Sequence, residues 1–216
     1  VVVLRPQLQG QGEREAADAD DRRQRDAQGQ LLMGPLGVLV VSSEYGTGMV
    51  RATFAAVPRR TPVLVAKAVV FVLVVGAAMI AASVVAFLVA QAVLSGHRPT
   101  SSLGDGAVLR VVVGTGIYLT LVGLIGSSLA WIVRSTPGAL VATLAVILVL
   151  PILFGLVFPS WGSYIAAWLP TGAGQSFSTT LPQPHALGPW AGLAVMVAWV
   201  AAGLTLAAVL LRRRDA

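Results

Sequence analysis

The chain has 216 residues, 56% hydrophobic and 11% charged, where a soluble domain covers its surface with about 25% charged residues. Its net charge of +6 does not make it a nucleic-acid binder, because the basic residues beyond the N-terminus stand at the ends of apolar runs and form no patch. The absence of cysteine excludes a disulfide framework, a thiolate metal site and a cysteine nucleophile.

Residues 1–30 are rich in Gln, Asp, Arg and Ala and hold six of the nine acids. They show no sustained periodicity and lack the basic-then-apolar layout of a signal peptide. The stretch reads as a polar, disordered tail, or as an artefact standing where a membrane helix belongs. Residues 31–41 are apolar but number only about half of the roughly 20 that a span requires. They read as the end of a helix whose beginning is missing, so that 31–216 form an N-terminally incomplete membrane domain.

Between this partial span and the next apolar run, Thr47 can cap a short helix over 48–57, which Pro58 stops. Met49, Val50, Thr53, Phe54 and Val57 share one face and Arg51 another. A short amphipathic helix of this kind lies on a membrane surface or docks into a groove on a partner. Periodicity alone favours the surface.

Four full spans follow, over about 65–94, 108–133, 138–158 and 190–211. Each is long enough to cross about 30 Å of hydrocarbon at about 1.5 Å per residue. Thr61-Pro62 and Thr136-Pro137 read as a cap followed by a helix-opening proline. The predicted fold is therefore an all-α, polytopic transmembrane helix bundle: four full spans, one partial N-terminal span and a short cytoplasmic amphipathic helix.

Loop charge gives the orientation. Arg51, Arg59, Arg60 and Lys67 precede or open the first full span, Arg134 joins the second and third, and Arg212 to Arg214 close the last. The 159–188 loop has no lysine or arginine. Positive charge inside then places the Glu44–Thr61 segment, the Arg134 turn and the C-terminus in the cytoplasm of a multi-pass cell-membrane protein. The 159–188 loop faces outward, with Thr171 accessible in it. In that loop Trp161, Tyr164, Ile165, Trp168 and Leu169 follow helical spacing, closed by Pro170. They predict a short interfacial or re-entrant helix.

Within the spans, Gly114, Gly116, Gly123, Gly126, Ser127 and Ser128 give the second full span a small-residue surface suited to close helix packing. Pro151 removes the hydrogen bond to the Ile147 carbonyl and predicts a kink. No acid lies near the middle of a span, which argues against a proton- or sodium-coupled carrier. His97 and His185 fall in outer loops without metal-ligand spacing, so no metal or cofactor site is expected. No Ser–His or paired-Asp set at membrane depth suggests a protease, and no catalytic residue is assigned. The only lysine, Lys67, is flanked by Ala66 and Ala68, so there is no phosphate-binding loop. Any ATP that drives this protein is hydrolysed by another polypeptide.

The stretch Ser43-Glu44-Tyr45-Gly46-Thr47-Gly48-Met49-Val50-Arg51, the ending Val57-Pro58-Arg59-Arg60 and the long span after it resemble the permease subunits of type-2 ATP-binding-cassette exporters. The likeness runs from about Leu31 to Ala216. It implies a six-helix permease half that pairs with a second half, in a homo- or heterodimer, and couples to a separate cytoplasmic ATPase subunit. By the same resemblance Glu44, Tyr45, Gly46, Thr47, Arg51, Phe54, Arg59 and Arg60 belong to the ATPase-coupling segment, and the aromatic outer loop corresponds to the family's re-entrant element. This chain departs from the family in lacking the first helix and most of the second. The rival reading is a non-transport membrane assembly or scaffolding protein.

Overall fold

A computed structural model describes residues 32–39, 60–94, 104–158, 161–179 and 185–213, and every element among them is helical. In chain order these are α1 (32–39), α2 (Arg60–Leu94), α3 (Gly106–Val133), α4 (136–157), α5 (Gly162–Trp168), α6 (Pro170–Ser178) and α7 (Pro189–Arg213). Helix α4 is α-helical over Thr136–Leu144, π-helical over Ala145–Val149 and α-helical again over Leu150–Val157. Among the described residues α2, α3, α4 and α7 are long and apolar enough to cross a membrane. The protein is an all-α, membrane-embedded helix bundle.

The spans start and stop close to where hydropathy puts them, but their opening devices differ. Helix α2 is described from Arg60 onward, so Thr61 and Pro62 both lie within it. Helix α4 is capped by Ser135, one residue earlier than expected, whose hydroxyl accepts from the Gly138 N–H at 3.2 Å. Helix α3 ends at Arg134, which takes a left-handed conformation (φ 57°) while its N–H donates to the Ala130 carbonyl at 2.9 Å. That one residue reverses the chain between α3 and α4.

Helix α3 is the hub. Its inner residues include all six of the small side chains picked out above. A Cβ at Gly116 would lie 2.7 Å from the Ile80 Cα of α2, and one at Gly37 of α1 would overlap the backbone of Gly123. A Cβ at Gly126 would overlap the carbonyl oxygen of Gly34. Two glycines three residues apart on α1 thus meet two glycines three residues apart on α3, a small-residue contact that brings two backbones together. The eight residues of α1 are therefore an integral part of the bundle.

Two apolar clusters fill the interior. One, around Phe71, Tyr118, Val122, Ile125, Ile147 and Met196, occupies the middle. The other, Val38, Leu64, Ala130, Trp131, Ala139, Ala207 and Leu211, closes the end that also carries Lys67, Arg134 and Arg212. There the Lys67 ammonium sits 5.5 Å from the centre of the Trp131 ring, within the range of cation–π attraction.

Candidate functional site

The part of the structure with the most unusual backbone lies between α4 and α7, at the half of the bundle away from the basic end. Pro151 has no N–H, so the carbonyl four residues earlier, that of Ile147, loses its partner. The backbone around it adopts the wider π-helical turn, with the Leu150 N–H donating to the Ala145 carbonyl, five residues back. Ile147 is buried in the central core. Its carbonyl accepts the hydroxyl of Thr171 at 2.6 Å. A side chain 24 residues away in sequence thus supplies the hydrogen bond that the proline removed, as burial away from water demands.

Thr171 reaches that carbonyl because α5 and α6 form a re-entrant hairpin. Gly162 packs against the Phe154 carbonyl, and its N–H donates to the Phe158 carbonyl at 2.6 Å, near the top of α4. Thr171, nine residues later, touches Ile147, ten residues down α4 from Val157. At about 1.5 Å per residue the hairpin tip lies about 15 Å below the end of the span, half the thickness of the hydrocarbon. Helix α7 gives the same depth independently. The indole N–H of Trp199, ten residues below Pro189, donates to the Trp168 carbonyl at 3.0 Å. The second arm then climbs back past α3 and α7. Gly174 packs on the Tyr118 ring, Gly192 on the Ala173 carbonyl, and the Phe177 ring lies 5.7 Å from that of Trp190.

The tip is the only place in the hairpin where the chain leaves the helix, at Leu169, which is 7% exposed. Non-helical backbone at this depth is tolerated where protein covers it. The sequence suggested one helix closed by Pro170. In the structure Pro170 is the first residue of a second helix, whose existence no apolar periodicity announced. Its inward residues are Ala173, Gly174, Ser176 and Phe177, and small residues pack without leaving a hydrophobic stripe. Thr171 is correspondingly a half-buried residue of a helix at mid-depth and not part of an irregular loop. Trp161, Tyr164 and Trp168 stand largely exposed on the first arm, where lipid headgroups and chains favour them.

A cavity of about 220 Å³ opens beside the tip, lined by Pro151, Ser163, Ala166, Thr171, Gly172 and Gln175 among others. Its polar groups are hydroxyls and an amide, so it can exchange hydrogen bonds with water or a small neutral molecule. The Ser176 hydroxyl donates back to the Gly172 carbonyl at 2.9 Å. At the mouth of the hairpin the imidazole of His185 packs against Tyr164, ring centres 3.8 Å apart and planes tilted by 34°. Among the described residues no group of three or more His, Cys, Asp or Glu side chains could hold a metal ion.

Of the residues assigned to the coupling segment, Glu44, Tyr45, Gly46, Thr47, Arg51, Phe54 and Arg59 lie outside the described residues, as do the N-terminal tail and His97. Arg60 is the first residue of α2. Arg60, the one described residue of that set, and the hairpin lie at opposite ends of the bundle. The signal for the Thr171 contact was present in the sequence only as its other half, Pro151.

The fold and site define a membrane-embedded helix bundle with a re-entrant hairpin tied to its third span. The chain matches no protein-family model, no curated protein and no solved structure.

Proposed function

We propose that this protein is the membrane-spanning permease subunit of an ABC-type exporter, forming half of a translocation path and powered by a separate cytoplasmic ATPase. The observation that carries the reading is the re-entrant hairpin. The resemblance in residues 43–60 implies a re-entrant element between the last two spans, and α5–α6 is a helical hairpin at that point of the chain which descends to mid-membrane. The orientation follows from the basic residues: Arg134, Arg212 and Arg213 lie at one end and the hairpin opens at the other. With the basic end in the cytoplasm, the hairpin opens outward and the segment before α2 faces the ATPase. In this reading Phe54 is the apolar anchor of the coupling helix and Glu44 stabilises the positive end of that helix or pairs with a basic residue of the partner.

Reconstitution with the ATPase tests this. Phe54→Ala and Glu44→Ala should insert normally, bind the ATPase more weakly and abolish export. A truncated aromatic anchor costs about 2 kcal/mol or more, roughly thirtyfold in affinity. Normal ATPase binding and export by both variants would remove the coupling assignment. Stable assembly with other membrane proteins, without any effect on ATP hydrolysis, would favour the scaffolding reading.

A further inference from the structure

Helices α2 and α7 diverge over α3 and leave an apolar groove of about 490 Å³. Leu64, Ala68 and Val72 form one wall, Leu204 and Ala208 the other, and Leu124 the floor. The one hydroxyl in the lining, that of Thr205, donates back to the Ala201 and Ala202 carbonyls of its own helix, at 2.8 and 2.9 Å. Nothing polar is therefore offered to an occupant along the groove itself.

Length and charge define the occupant. The groove runs from Leu64 to Leu73 on α2, nine residues or about 14 Å, close to the 15 Å depth of one hydrocarbon leaflet. It starts at the basic end of the bundle. On α7, Arg212 stands four residues beyond Ala208 and so on the same face one turn further out. Both Arg212 and Arg213 are exposed there. An apolar slot one leaflet deep, with the Arg212 guanidinium at its mouth, matches an acyl chain joined to a phosphate. We infer that the α2–α7 groove is a binding site for an anionic phospholipid, its acyl chain along Leu64–Leu73 and its phosphate at Arg212. Basic clusters between helices at a membrane surface recognise such headgroups, and guanidinium matches phosphate oxygens in pairs. The site does not depend on the exporter reading.

Native mass spectrometry of the purified full chain tests it, with phosphatidylglycerol or phosphatidylcholine of identical acyl chains. The wild type should retain one phosphatidylglycerol about fivefold more strongly than phosphatidylcholine, the gain of roughly one basic contact. Arg212→Gln should lose that preference, while Arg110→Gln, at the opposite end, should keep it. Ala208→Trp, which fills the groove, should lose retention of both lipids. Equal retention of the two lipids by the wild type, an unchanged preference in Arg212→Gln, or full retention by Ala208→Trp would each overturn the assignment. So would a change of oligomeric state in Ala208→Trp with lipid binding intact, which would mark the groove as a protein interface. The wild-type lipid comparison and Ala208→Trp decide the matter even if Arg212→Gln does not fold.

Discussion

Helices α2 and α3 lie side by side and differ in a way that reverses the habit of soluble proteins. Helix α2 is the more apolar of the two, yet only 11% of its most apolar window is buried, against 50% for α3. In water the more apolar helix would be inside. In a bilayer, lipid solvates Val and Leu as well as a protein core does, so apolarity no longer decides which helix is central. The interior goes instead to the helix whose glycines and small hydroxyl residues let others approach. Ser128 faces Gly203 of α7, Gly116 faces Ile80 of α2, Gly123 lies between Phe71 of α2 and the backbone of α1, and Gly126 faces Gly34 of α1.

The largest effect should follow from destroying that approach. In Gly123→Leu even the first side-chain carbon would lie 2.7 Å from the Phe71 ring, beside the backbone contact with Gly37. Overpacking costs typically about 1–3 kcal/mol and more where backbone must move. Gly123→Leu should therefore yield little monodisperse protein in size-exclusion chromatography. Recovery at the wild-type level would break the picture of α3 as hub.

A smaller effect, with a sharper signature, belongs to the hairpin. Thr171→Val leaves the Ile147 carbonyl without its 2.6 Å hydrogen bond and should cost about 1–2 kcal/mol in a denaturing-detergent titration. Pro151→Ala restores an N–H that can bond that carbonyl. In the Pro151→Ala background the cost of Thr171→Val should fall close to zero. A double-mutant cycle measures the difference, and additive costs would mean that the threonine does not serve the proline's carbonyl.

The smallest effect is expected on α2. Val74 is 64% exposed to the lipid-facing side, and Val74→Leu should change stability by no more than about 0.5 kcal/mol. The same titration checks it. A cost equal to that of the α3 substitution would place a protein contact on this face and erase the contrast between the two helices.

The sequence by itself determined the all-α class, the four spans and their ends to within a few residues. Hydrocarbon thickness and the need to satisfy every backbone group leave a long apolar run only one structure. It also located Pro151 as a break and the small residues of α3 as a packing surface, since both act through the backbone of their own helix. What covers a freed carbonyl, and which glycine meets which, are relations between segments far apart in sequence. Thr171 looked like an outer-loop residue because the second arm of the hairpin is short and packs by small side chains, without an apolar stripe to mark it. Ser135 displaced Thr136 as the α4 cap because the left-handed turn at Arg134 delivers the chain one residue early. The groove between α2 and α7 depends on how far two helices splay over a third, and no helix records that angle in its own residues. Only the tertiary structure decided the pairings between helices, because the apolar surfaces that meet there have the same hydropathy as the surrounding lipid.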